Sequence, residues 1–354
     1  MSGIWKHNIG LSIFGESHGE SVGITISGLK AGLLIDEAFI QSELDRRKPG
    51  QSDLTTPRKE ADKFEIISGQ FEGYTTGAPL TMIIRNTNKK SSDYNHLKNR
   101  LRPGHADFTA KEKYKGFTDY RGSGHFSGRI TAGLVFAGAI AKSILKEQDI
   151  KIGAQIASIH QVEDDNLPSV INENHLDALS KSFPVLNMEK ETMMRKAILD
   201  AKEDKNSVGG KIRCFALNVP VGLGNPFFES VESILSGLIF SVPATKALEF
   251  GAGVRFASMY GSESNDDIYF DEGIKTRTNN NGGINGGISN GMPIDFTVTI
   301  KPTPSIGKTQ ESVNLLTNES VDLSVEGRHD PCIVPRVLPV IESVLAITIL
   351  DLMN

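Results

Sequence analysis

The stretch Arg102-Pro-Gly-His-Ala-Asp107, followed by Tyr120-Arg-Gly-Ser-Gly-His125 and Gly128-Arg129, gathers guanidinium groups, imidazoles and carboxylates in one short span. Together they suit acid-base chemistry on an anion. Arginine holds negative oxygens through forked contacts, and histidine titrates near neutrality and exchanges a proton there. Between Asn95 and Arg129, eight Lys or Arg face three Asp or Glu, and three of the chain's eight histidines fall in the same span, although the chain carries a net charge of -5. A local basic excess in an acidic protein predicts a specific small anion, because a nucleic-acid surface would make the whole domain basic. Pro103-Gly104 places His105 on a loop or helix start, where a side chain faces a ligand. A solvated basic loop with a locally bonded histidine is the alternative for this stretch alone.

Other stretches carry chemistry too. Gly15-Glu-Ser-His-Gly19 puts Ser17 and His18 at a loop tip and has the Gly-x-Ser-x-Gly spacing of a hydrolase nucleophile elbow. An elbow needs a strand before the serine and a helix after it, whereas Ser21 to Ser27 alternates like a second strand, so the context disfavours a serine hydrolase built on Ser17. Arg46-Arg47-Lys48 closes a helix, either capping its carbonyl end or lending Arg47 to an anion. Lys301-Pro-Thr-Pro-Ser305 is a rigid turn offering hydroxyls and one ammonium, and Arg328-His-Asp330 adds a guanidinium and a carboxylate that also read as a local ion pair. No Gly-x-Gly-x-x-Gly stands between strand and helix, no Walker loop is present, and neither the histidines nor the cysteines have metal spacing; no metal is expected.

The elements that must position these groups alternate along the chain. Extended segments are predicted at Asn8 to Phe14, Ser21 to Ser27, Phe64 to Phe71, Leu80 to Arg85, Ile150 to His160, Lys211 to Val219, Lys246 to Phe256 and Ile294 to Ile300. Helical spacing marks Asp36 to Arg47, Glu189 to Lys202, Glu229 to Phe240 and a closing helix, and the Ala/Gly-rich Thr131 to Lys146 is apolar nearly all round, hence buried. Gln51 to Glu60 is polar and without pattern. No repeat or composition break divides the 354 residues, so one large α+β domain over 1–354 is expected, with helices packed on sheets. Cys214 and Cys332 are far apart and suggest no disulfide. The N-terminus lacks a signal peptide's apolar core and Val337 to Met353 is too short to span a bilayer, which predicts a cytoplasmic protein without membrane partners.

The chain resembles the chorismate synthase family nearly end to end. Phe14-Gly-Glu-Ser-His-Gly19, Asp45-Arg-Arg-Lys-Pro-Gly50, Asn86-Thr87, Arg102-Pro-Gly-His-Ala-Asp107, Asp119-Tyr-Arg-Gly122, Val221-Gly-Leu-Gly224, Gly286-Gly-Ile-Ser289, Lys301-Pro-Thr303 and Gly327-Arg-His-Asp-Pro-Cys332 are collinear with its landmarks. The resemblance implies a β-α-β sandwich with helices between antiparallel sheets and a homotetramer. It implies a 1,4-elimination of phosphate and a ring hydrogen from 5-enolpyruvylshikimate 3-phosphate, giving chorismate with reduced FMN and no net redox change. NADPH is the candidate reductant of the flavin. By the same resemblance, His18 protonates the flavin, His105 assists departure of phosphate, and Asp330 helps the flavin N5 act as a base. Arg47, Arg102 and Arg129 would bind substrate, and Ser127, Ala244, Gly286, Lys301, Pro302, Thr303, Pro304, Ser305 and Arg328 would bind FMN. The chain departs from the family where Gly-Gly-Arg-Ser-Ser-Ala-Arg is usual and Ser123-Gly-His-Phe-Ser-Gly-Arg129 stands here, putting His125 and Phe126 at flavin positions; Pro243 and Asp53 also replace an asparagine and an arginine. A non-catalytic phosphometabolite- or flavin-binding protein on the same scaffold is the competing reading, separated from the enzyme by whether chorismate forms.

Overall fold

The computed structural model describes residues 3–50, 52, 54–55, 60–87, 94, 97–325 and 329–354. Two five-stranded antiparallel sheets carry the architecture. The first runs Ile4–Lys6, Gly10–Gly15, Ser21–Ser27, Leu80–Arg85, Phe64–Ser68 in spatial order, and the second Thr245–Phe250, Ile294–Ile300, Gly210–Leu217, Lys151–Ile159, Val162–Glu163. Helix Ala132–Lys146 packs on Ser21–Ser27 and on helix Val334–Leu352, which lies on Lys151–Ile159 and Gly210–Leu217 of the second sheet. The order is sheet, helices, sheet, and one hydrophobic cluster runs through all three layers. This is the expected α+β sandwich.

The composition of the inner helix explains how close the layers come. A Cβ at Gly138 would lie 2.1 Å from Ser343 Cβ on the neighbouring helix, and one at Gly133 would lie 3.0 Å from Ile24 Cβ on the first sheet. Only glycine lets the backbones approach that far. The stretch Arg121–Lys146 is apolar enough to attract a membrane reading, but it is mostly buried, and the helix Ala132–Lys146 has only 15 residues against the roughly 20 a bilayer needs.

At the edge of this apolar layer lies a four-membered ion cluster whose Arg46 is partly exposed. Arg46 donates to Glu43 (2.9 Å) and, with both terminal nitrogens, to Glu342 (2.7 and 2.8 Å), while Lys142 Nζ reaches Glu43 (2.5 Å) and Glu342 (2.6 Å). Burial disfavours the Arg46 cation, yet the two carboxylates raise its pKa above the ordinary value; burial likewise opposes the Glu342 anion, and Lys142 and Arg46 hold it below the carboxylate range. The capping reading of Arg46-Arg47-Lys48 is therefore corrected. Lys48 ends helix Glu37–Arg47 through its backbone N–H to Leu44, while Arg46 and Arg47 turn inward to carboxylates.

The remaining elements fall near their predicted bounds, including Met188–Glu203 and Val231–Ile239. The predicted strand over 246–256 stops at Phe250 and gives way to a 3-10 turn at Gly253–Ser258, because the backbone turns at Gly251 (φ 54°) and Gly253 (φ 56°).

Candidate active site

The loop bearing His105 is folded by its own residues. Gly104 takes φ 69°, His105 N–H closes a turn onto Arg102 O (3.2 Å), and Asp107 opens helix Asp107–Lys113. The Asp107 carboxylate then accepts from Arg102 Nε (2.8 Å), Nη2 (2.7 Å) and backbone N–H (3.0 Å). Burial would raise this carboxyl, but Arg102 and His105 hold it well below the usual range. His105 Nδ1 lies 2.6 Å from Asp107 Oδ1 and 3.2 Å from Arg102 Nη2. One nitrogen cannot both donate and accept, and the shorter contact to an anion wins, so Nδ1 carries the hydrogen and Nε2 is the working nitrogen. Arg102 itself is buried, and it also reaches Ser305 Oγ (3.2 Å) and Ser123 Oγ (3.3 Å). His105, Arg102, Tyr120, Ser123 and Phe126 share the wall of a cavity of about 220 Å³.

The 301–305 turn ties this loop to Asp330. Lys301 Nζ donates to Gly104 O (2.5 Å), and its backbone N–H donates to the carbonyl of Ala244, itself at φ 73° (3.0 Å). Burial and the nearby Lys246 lower the Lys301 ammonium's pKa. Thr303 Oγ1 donates to Asp330 O (2.7 Å), Ser305 meets Arg102, and Pro302 and Pro304 pack beside Gly209 and Gly104. Arg328 lies outside the described residues.

Arg47 and Arg129 form a second, more deeply buried group. Asp62 bridges them, accepting from Arg47 Nη2 on one oxygen and from Arg129 Nη1 (2.8 Å) on the other. Arg129 also donates to Glu60 (2.5 Å) and to Asn86 Oδ1 (2.5 Å), and Ser127 Oγ receives its backbone N–H (3.3 Å). Burial acts against the Asp62 anion, but Arg47 and Arg129 outweigh it and lower its pKa; burial is the largest influence on Arg47, whose pKa falls despite Asp62.

Asn86 connects that group to the His18 loop, donating to the carbonyls of Glu16 (2.9 Å) and Gly19 (3.2 Å). His18 is buried, edge-on to Tyr94 with ring centroids 5.0 Å apart. Gly122 packs against its ring: a Cβ there would sit 2.2 Å from His18 Nδ1. Ser17 is buried in a connection between two paired strands, so a strand succeeds it where a nucleophile elbow requires a helix. His125 Nδ1 bonds the carbonyl of Gly15 (2.9 Å), which fixes the start of the same loop, while Phe126 lies half-exposed beside Tyr114.

One predicted flavin position stands apart from the others in the chain. Gly286 forms the turn between Ile284–Asn285 and Ile288–Ser289, and strand Ile294–Ile300, about 20 Å long, separates that hairpin from Lys301. Glu60, Asp62 and Arg336 escaped the sequence reading, as did the role of Asn86. Glu60-Ala-Asp62 at the end of a patternless polar segment was the available signal, and nothing local pairs it with Arg129.

The family profile for chorismate synthase matches residues 9–353. The chain belongs to the chorismate synthase family. The chorismate synthase of Methanocaldococcus jannaschii is 50% identical, with 97% of this chain and 94% of the relative covered, and that of Dehalococcoides mccartyi is 46% identical, with 97% and 94% covered. A crystal structure of chorismate synthase superposes with a TM-score of 0.76 at 30% identity, covering 97% of this chain and 90% of the other. The chain is thus an enzyme of the chorismate synthase kind, a lyase of the shikimate pathway, and the sandwich expected from the resemblance is the fold observed.

Proposed function

We propose that the Arg102, 301–305 and His18 loops together form the site where 5-enolpyruvylshikimate 3-phosphate loses phosphate and a ring hydrogen, with reduced FMN as cofactor. The observation that carries this reading is the continuous set of contacts from His105 through Arg102, Ser305 and Lys301 to Thr303 and Asp330. The proton donor and the anion-binding cation share one cavity wall, and the 301–305 turn links them to the backbone of Asp330.

The donor set suits FMN. One ammonium (Lys301) and two hydroxyls (Thr303 and Ser305) lie on one turn whose first backbone N–H meets the carbonyl of Ala244, and Ser127 adds a third hydroxyl beside Gly128, which leaves open space where a side chain would project. These groups would hold the flavin's phosphate and polar ring edge. Reduced FMN held there would supply electron density that assists loss of phosphate, with no net redox change. As an imidazolium, with Nδ1–H on Asp107, His105 delivers its Nε2 proton to the leaving phosphate oxygen. Asp330 would help the flavin N5 act as a base and accept the proton from it, and His18 would hold a proton toward the flavin. Arg47, Arg102 and Arg129 receive the substrate's phosphate and carboxylates, and Arg102 lies nearest the leaving group because it contacts His105. Bond cleavage balances: carbon-oxygen and carbon-hydrogen bonds break, a double bond forms, and phosphate and a proton leave.

The adjacent and almost fully exposed Phe227 (85%) and Phe228 (91%) support assembly, since contiguous apolar surface ordinarily marks a contact surface. A cytoplasmic homotetramer is our reading, with NADPH as the reductant of its flavin. Sedimentation at micromolar concentration tests the assembly. The chemical reading is tested with His105→Ala and His18→Ala, each expected to lower turnover by about 10²-fold while the fold survives. Near-normal turnover in both reassigns them to structure.

A further inference from the structure

Arg336 belongs to the first turn of helix Val334–Leu352, where a cation opposes the helix dipole. Helix stability does not call for a guanidinium there; its contacts do. Nη1 donates to Asp330 Oδ2, and Nε donates to the backbone carbonyl of Arg47 (3.1 Å). That carbonyl belongs to the last turn of helix Glu37–Arg47, where no residue further along the helix remains to satisfy it. One planar side chain therefore locks the Asp330 carboxylate to the end of the helix that carries Arg47. Asp330 is held from its other side as well, since its carbonyl accepts from Thr303 Oγ1 (2.7 Å).

We propose that Arg336 is a positioning residue for the proton acceptor: it fixes the Asp330 carboxylate in register with the substrate-binding Arg47, acting through Asp330 without touching substrate. This rests on the reading of Asp330 given above. The guanidinium is suited to the task because its two donors point in fixed directions at two different acceptors, whereas a lysine head group is a single point charge.

The test is a double-mutant cycle on the full chain with Arg336→Met, Asp330→Asn and both together, assayed anaerobically with reduced FMN and 5-enolpyruvylshikimate 3-phosphate. Arg336→Met is expected to lower kcat about tenfold or more with KM within about threefold, the scale of a reacting group misplaced by part of an ångström. In the Asp330→Asn background the same change is expected to cost less than about twofold, because its target is already disabled. A second readout needs no flavin or substrate: the double variant should melt no lower than the worse single variant, as a broken mutual contact requires. If Arg336→Met fails to fold, Arg336→Lys carries the test, with an expected three- to tenfold loss, roughly, from reaching only one acceptor. Additive kcat losses, or additive losses of melting temperature, overturn the positioning role alone. Full turnover in Asp330→Asn overturns the reading of Asp330, and this proposal with it.

Discussion

Gly122→Ala should disable the His18 loop while removing none of the proposed chemical groups. Gly122 holds φ 56°, and an added Cβ would meet His18 Nδ1 at 2.2 Å, Cε1 at 2.3 Å and Ser17 Oγ at 2.8 Å. Ordinary contact needs about 3.5 Å, so the imidazole would have to retreat by roughly 1.3 Å. Ser17 cannot yield easily, because its backbone N–H is held by Gly124 O (3.1 Å). A displacement of about 1 Å at a reacting group costs on the order of 10²-fold in rate. Left-handed backbone adds about 1–2 kcal/mol of instability for any non-glycine residue. Gly73→Ala separates the two effects: it has φ 81° and nothing within 4 Å of the added Cβ, so it carries the backbone cost without the clash. Anaerobic turnover and thermal unfolding of both variants make the comparison. The expected result is a rate loss of about 10²-fold for Gly122→Ala and less than about twofold for Gly73→Ala. Equal rates in the two variants would refute the claim that Gly122 seats a working His18.

Asp62→Asn should destabilise the fold by about 3–5 kcal/mol, since two buried guanidinium groups lose the carboxylate that bridges them, and a melting curve reads it. The depressed pKa of Asp62 gives its contribution a sign: stability is present above the unfolded value near 3.8 and is lost as pH falls through the lower folded value, so the wild type should lose stability in acid more steeply than the Asn variant. Arg46→Met should cost less, about 1–3 kcal/mol, read by denaturant unfolding, because Arg46 is 38% exposed and buried Glu342 keeps Lys142 as a partner. His125→Ala removes the bond to Gly15 O and should lower stability by about 1 kcal/mol, checked by thermal melting. Substrate affinity should weaken with added salt and on Arg129→Ala, measured by titration under anaerobic conditions, and Arg129→Lys should restore it only in part.

What the chain discloses by itself is what local periodicity and backbone chemistry determine. Helix Ala132–Lys146 was legible because an element apolar on every side must be buried, and Ser21–Ser27 because alternation marks a strand. The Arg102 loop was legible for another reason: its turn residues, histidine and carboxylate lie within six positions and contact one another. Pairings across long separations were not. Arg46 meets Glu342 across 296 residues and Arg129 meets Asp62 across 67, and only the packing of helices between sheets brings them together. Arg46 in isolation therefore read as a helix cap. The segment at His125 shows the same limit, because the bond from its Nδ1 to the Gly15 carbonyl spans 110 residues and has no local signal.

The most direct test of the central claim is an anaerobic incubation of the purified full chain with 5-enolpyruvylshikimate 3-phosphate and a catalytic amount of reduced FMN, measuring chorismate and inorganic phosphate together. The account predicts many turnovers per flavin, one phosphate for each chorismate, and flavin still reduced at the end. Phosphate without chorismate, or flavin oxidised in step with product, would contradict it.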